Sequence, residues 1–258
     1  MKKLLLIFAL LLITSNTFAL TYSGVKIVNR KILPLGDSIT EGSVASNPYW
    51  RDDLQDLLGI GFYDFVGDRR SPTSSSFWNY DMEHAGIGGQ QTTAILARLP
   101  DLLTTYFTAG TDFAHSFVLI HAGTNDCFQY ACDVSTTALD NIEDMIDLVM
   151  AHNSQLRVIV ALIIPSNKPA PDEDENARIQ AFVPLLEARL QSLQATYPNR
   201  IVIADMNSEF LNTSNCSPDI AGCLDSSEVH PDATGQAVMA AQWKRCIDSP
   251  TNQGCNGN

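Results

Sequence analysis

The sequence predicts an α/β fold, a parallel sheet with helices on both faces, and three observations point to it. Val158 to Ile164 is an unbroken apolar run rich in β-branched residues, the pattern of a strand covered on both sides. Leu139, Ile142, Ile146 and Val149 recur at helical spacing, as do Ile179, Phe182, Leu186, Leu190 and Leu193. Strand-like and helix-like segments then alternate along the chain, as stacked βα units require. With 258 residues, 45% of them hydrophobic, the chain can bury one sizeable core.

Each element follows in order. Lys31 to Leu35 is a short apolar strand opening into Gly36-Asp37-Ser38. Tyr49 to Leu58 reads as a helix with Tyr49, Trp50, Leu54, Leu57 and Leu58 toward one face. Phe62 to Val66 alternates as a second strand, and the serine-rich stretch from Arg69 to Asp81 reads as a loop. Thr92 to Leu103 is helical, and Phe117 to Ile120 is a compact strand before Gly123. Pro169 to Glu175 is an acidic loop, and Pro184 is expected to kink or restart the helix it sits in. Ile201 to Ala204 is the last strand, and Ala233 to Arg245 the last helix.

The amino terminus has the pattern of an export signal. Lys2 and Lys3 precede an apolar run from Leu4 to Ile13, too short to span a bilayer, and small and polar residues lead to Ala19. Residues 1–19 are therefore expected to be a cleaved signal peptide, and 20–258 a single secreted or periplasmic domain. Losing Lys2 and Lys3 makes the formal charge of −13 two units more negative. Such a surface repels nucleic acid, anionic membranes and polyanionic glycans, and suits a neutral ligand. The six cysteines of an exported chain point to disulfides, and short loops favour Cys127–Cys132, Cys216–Cys223 and Cys246–Cys255, though fifteen connectivities are open. No Cys-x-x-Cys spacing supports zinc, and no cofactor is expected.

Four segments carry chemistry: Gly36 to Thr40, Gly86 to Gly89, Gly123 to Asp126, and His230-Pro231-Asp232. In an open α/β sheet the ligand site lies beyond the carboxyl ends of the strands, and all four can reach that rim. A serine hydroxyl needs a base to take its proton, which makes Ser38 the candidate nucleophile and His230 its base. The Ser38 amide, the Gly89 amide and the Asn125 side chain are candidate oxyanion donors. Thr40 stands where a Gly-x-Ser-x-Gly elbow needs its second glycine, which disfavours the α/β-hydrolase arrangement. Gly86 and Gly88 read as helix-entry geometry, Asp126 as a cap within its own turn, and Asp37 as a brace of the nucleophile loop. His84, His115, His121 and His152 receive no role. Trp78 and Tyr80 could stack on a sugar ring, and Asn212-Thr213-Ser214 is a glycosylation sequon.

In these segments, and in the longer stretches Ile32 to Gly42, Phe65 to Gly67 and Val118 to Asp126, the sequence resembles the GDSL/SGNH hydrolase superfamily. It is most similar there to the acetyl xylan esterase branch. The resemblance implies a three-layer α/β/α sandwich with a flavodoxin-like sheet, Ser38 as nucleophile, Gly89 and Asn125 in the oxyanion hole, and His230 as base. It implies an acylated carbohydrate or other small ester as substrate. A lysophospholipase, thioesterase or general short-chain esterase on the same scaffold is the alternative enzyme. One position departs from the family pattern: Ser227 stands three residues before the histidine, where an aspartate is usual. The imidazole could instead be oriented by the Ser227 carbonyl, by Asp225 or by Glu228, and in an extended loop Asp225 and position 227 point the same way. That departure motivates a reading of another class, a glycan-binding protein with weakened catalysis.

Overall fold

The computed structural model describes residues 30–42, 49–71, 80–108, 112–129, 137–168, 174–217, 219–249 and 255. The strands are β1 (Lys31–Gly36), β2 (Asp64–Phe65), β3 (Arg69–Arg70), β4 (Glu83–Gly86), β5 (Phe117–His121), β6 (Arg157–Ala161) and β7 (Ile201–Ala204). The helices are α1 (Ser38–Glu41), α2 (Trp50–Leu58), α3 (Thr92–Tyr106), α4 (Thr124–Gln129), α5 (Thr137–His152), α6 (Asp174–Thr196), α7 (Met206–Leu211) and α8 (Ala233–Asp248). A 3₁₀ turn covers Ile220–Cys223.

The sheet runs β3-β4-β1-β5-β6-β7, with β2 also paired to β1. β2 meets β1 at Lys31 and Ile32, while β4 meets it at Leu35 and Gly36. All pairings are parallel except β3 with β4, so the sheet is mixed at that edge. Alternating side chains split the core in two. Leu33, Leu35, Val118 and Val158 pack with α3, α5 and α6 on one face. Ile32, Leu119, Ile159 and Val202 pack with α2, α7 and α8 on the other. The Trp50 and Trp243 rings tie α2 to α8 at 5.7 Å between centroids. This is the three-layer α/β/α sandwich. The strand order reverses at β1, whose end residue Gly36 is in register with His121 of β5. The carboxyl ends of β1 and β5 lie side by side there, the place where open α/β sheets hold their ligands.

Several expectations need correction. Leu57 is 50% exposed, because α2 buries only the stripe facing α8 and the sheet. Phe62 is also exposed, and pairing in that stretch is confined to Asp64 and Phe65. The first residues of the expected loop form β3, paired with the unanticipated β4. The run from Val158 leaves the sheet after Ala161, although Leu162 to Ile164 stay buried. α6 passes through Pro184 without a break, held by its buried stripe of Ile179, Phe182, Leu186 and Leu190. The expected signal peptide, Trp78 and Cys132 lie outside the described residues. Disulfides join Cys216 to Cys223 and Cys246 to Cys255. Among the described residues no helix is long and apolar enough to cross a membrane.

Candidate active site

Ser38 is the first residue of α1, at the end of β1. Asp37 caps that helix, its Oδ1 accepting the Ile39 N–H at 3.0 Å, and so braces the loop as expected. The turn is close-packed against β4. A Cβ on Gly86 would stand 2.4 Å from the Glu41 nitrogen, so Gly86 serves close approach of strand and turn rather than helix entry. Gly36 is equally confined, by the His121 carbonyl and Thr40.

His230 arrives from the opposite end of the chain. Its loop is pinched into a hairpin by the Leu224–Pro231 bridge and by Asp225 N–H donating to the His230 carbonyl at 2.8 Å. The Asp232 N–H donates to the carbonyl of Cys223, which is itself held in the Cys216–Cys223 disulfide. This brings His230 Nε2 to 2.9 Å from Ser38 Oγ. Burial pushes the imidazole below its ordinary pKa; Asp225 opposes that shift and Lys168 adds to it. At neutral pH the ring is therefore uncharged and has a lone pair to offer.

The expected acceptors on Nδ1 require correction. Nδ1 meets the side-chain hydroxyl of Ser227 at 2.9 Å, not its carbonyl. Asp225 stands one bond further back, its Oδ1 accepting from Ser227 Oγ and from the Ser227 N–H. Glu228 turns away, accepting from Asn167 Nδ2 at 2.7 Å. The sequence signal for this hydroxyl was the departure at position 227 itself.

The loop after β4 lies against the nucleophile: a Cβ on Gly88 would be 3.7 Å from Ser38 Cβ. The Ile87, Gly88 and Gln90 amides are taken by the Gly36 carbonyl, Glu41 Oε2 and the Ile87 carbonyl. Glu41 had not been singled out from sequence. The Gly89 amide, at φ +75°, has no protein acceptor among the described residues. Ser38 opens its helix, so its N–H has no intrahelical acceptor. Asn125 Nδ2 donates one hydrogen to the Gln90 carbonyl at 3.0 Å and keeps a second. Asp126 does not cap its own turn. It caps α3, accepting from Thr92 N–H at 3.0 Å and Thr92 Oγ1 at 2.7 Å.

The remaining residues take structural places. His84 is buried, accepting the Gly86 N–H at Nδ1 and meeting Ser71 Oγ through Nε2. His121 is fully buried, with Nε2 toward the Ile164 N–H. His152 Nε2 donates to the Phe107 carbonyl. Tyr80 directs its hydroxyl to Asp56.

Residues 35–238 match the family model described as the GDSL-like lipase/acylhydrolase family, most of the chain. The chain belongs to that family. Among curated proteins, this GDSL-like chain is similar to a multidomain esterase of Ruminococcus flavefaciens, 26% identical over 234 residues. That alignment takes in 84% of this chain but only 28% of the Ruminococcus protein. Among solved structures, a carbohydrate esterase family 3 protein from Talaromyces cellulolyticus superposes with a TM-score of 0.64 at 23% identity, covering 83% of this chain and 94% of the other. A family 3 carbohydrate esterase of Clostridium thermocellum gives 0.59 at 21% identity, covering 83% and 92%. These likenesses establish that the GDSL-like chain shares their three-layer fold.

Proposed function

We propose that the chain is an exported serine esterase that removes acetyl or other short acyl groups from a carbohydrate. The observation that carries the reading is the 2.9 Å contact between Ser38 Oγ and His230 Nε2 beyond the carboxyl end of β1. Ser38 attacks the ester carbonyl while His230 takes its proton; the imidazolium then gives that proton to the departing alkoxide, leaving an acyl-enzyme. Water, deprotonated by His230, releases the acid and restores Ser38. The oxyanion is held by the N–H groups of Ser38 and Gly89 and by the second hydrogen of Asn125 Nδ2, each donor worth roughly 3 kcal/mol in comparable hydrolases.

Family membership supports ester hydrolysis, and the names of the Talaromyces and Clostridium proteins support a carbohydrate as the acyl carrier. The acidic composition suits a neutral glycan. The basic-then-apolar amino terminus and the disulfides support export, with 20–258 as one domain.

The test compares wild type with Ser38→Ala on acetylated xylan and on synthetic esters of increasing acyl length. Ser38→Ala should lose at least ~10³-fold in kcat, and wild-type rates should collapse beyond a few carbons. A preference for long acyl chains would reassign the chain to lysophospholipase or thioesterase activity. Equal, near-background rates in both proteins would leave a glycan-binding protein instead.

A further inference from the structure

We propose that His230 is held, and its cation stabilised, by a carboxylate acting through a hydroxyl: Nδ1–H donates to Ser227 Oγ, whose own hydrogen goes to Asp225 Oδ1. The proposal rests on the reading of Ser38 and His230 as nucleophile and base. A hydroxyl has one hydrogen to give and two lone pairs to offer, and an ionised carboxylate can only accept. Asp225 Oδ1 faces Ser227 Oγ directly and also accepts the Ser227 N–H at 2.8 Å, which fixes the carboxylate in place. The hydrogen of Ser227 must then point at Asp225. Its lone pairs are left for the ring, where Oγ accepts Nδ1–H at 2.9 Å and the His230 N–H at 3.3 Å.

The reverse arrangement, with Ser227 donating to a bare Nδ1, leaves two oxygens facing each other without a hydrogen between them. It also places a hydrogen on Nε2, against the hydroxyl that must be deprotonated. The observed chain of contacts thus selects the tautomer with its lone pair toward Ser38. When Ser38 Oγ gives its proton to Nε2, the ring keeps Nδ1–H and becomes the cation. No proton moves to Ser227 or Asp225, and the charge stays on the carboxylate; polarised by it, the hydroxyl becomes a stronger acceptor for Nδ1–H and so stabilises the cation. Of the charged groups around the imidazole, Asp225 favours the cation, and Lys168, from the segment after β6, opposes it. Glu228 is engaged with Asn167, and Glu41 of α1 with the Gly88 amide.

The test is the pH dependence of hydrolysis of an activated acetate ester by Ser227→Ala, Ser227→Thr, Ser227→Asp and Asp225→Asn, with Ser38→Ala alongside and thermal melts confirming folding. Ser227→Ala should lower kcat by ~10–100-fold with KM within ~2-fold of wild type, the loss expected when one charge-assisted hydrogen bond goes. Ser227→Thr, which keeps the hydroxyl, and Ser227→Asp, which brings a carboxylate to the same position, should each recover most of that loss. Asp225→Asn should lower kcat by ~10-fold and move the acid limb of kcat/KM to lower pH, because without the anion the ring is harder to protonate. A role confined to shaping the loop would leave that limb where it is. If Ser38→Ala abolishes activity while Ser227→Ala and Asp225→Asn keep the wild-type rate and profile, the relay is wrong and the nucleophile assignment stands. If Ser38→Ala retains wild-type activity, both fall.

Discussion

Asp37 sits beside the candidate nucleophile with its carboxyl fully buried, and burial pushes its pKa up to about 7, with Asp126 nearby adding to the rise. The sign follows from linkage. A carboxyl whose folded value lies above its unfolded one contributes stability that is complete below the ordinary carboxyl value of 3.8 and is lost progressively as pH rises from there through about 7. Asp37→Asn keeps an oxygen for the Ile39 N–H and carries no charge at any pH. The margin of the variant over wild type should therefore widen by ~1–3 kcal/mol between about pH 5 and about pH 8. Thermal scans at the two pH values check this, and a margin that stays level or narrows sinks the account. At this scale much of the site could be read from the chain. Strand-end position put Ser38 and Asn125 at one rim, with His230 reaching it from before α8; the parity argument assumed an extended loop, whereas the Glu228 N–H closes a turn on the Asp225 carbonyl at 2.9 Å. Parity did not find the Ser227 hydroxyl as partner. That contact depends on a turn in which Glu228 takes φ +61°, and no local pattern announces such a turn.

Between α3 and α4 one carboxylate does for a neighbouring helix what local reading assigned to its own. Asp126 closes the start of α3, and Asn125 beside it holds the Gln90 carbonyl, so the Gly89 loop is tied down from the α4 side. Asp126→Ala should cost about 1–2 kcal/mol, the usual loss of an N-cap, measurable by urea unfolding. Its kcat should fall further than an unrelated surface change of equal stability cost, since the Gly89 amide loses its support. Legibility varied by element for physical reasons. β1, β5 and β6 announce themselves because burial on both faces leaves apolar runs, with Lys31, His121 and Arg157 only at their ends. β4 has the sequence Glu-His-Ala-Gly, with no apolar alternation. It is a strand because Gly67 and Gly86 let the backbones around them approach: a Cβ on Gly67 would meet the His84 carbonyl carbon at 2.0 Å. α4 and α7 span six residues each, too short for a helical period to show.

For the whole molecule, the layers and the parallel sheet follow from alternation of apolar runs and stripes, whereas the strand order and the mixed edge at β3 do not, because pairing such as that between Arg69-Arg70 and Glu83-His84 is a tertiary outcome. The two disulfides act at different distances from the site. Cys216–Cys223 anchors the base of the His230 hairpin, and Cys246–Cys255 ties the end of α8 to the tail. In the chain-entropy view each short loop contributes roughly 2–3 kcal/mol. The double variant Cys216→Ala with Cys223→Ala should lower both the melting temperature and kcat. Cys246→Ala with Cys255→Ala should lower the melting temperature, by roughly 5–10 °C, and leave kcat within about 2-fold of wild type. Differential scanning calorimetry and initial rates on one ester check both.

Ser38 and His230 touch although 192 positions separate them along the chain. The hydroxyl is laid down with the end of β1, and the imidazole arrives only in the turn before α8. Translation must therefore run through residue 230 before the two can meet, and a chain made only partway to it carries one half of the pair without the other. Under the proposed mechanism, ester cleavage therefore waits until the His230 loop has been made and has docked against Ser38.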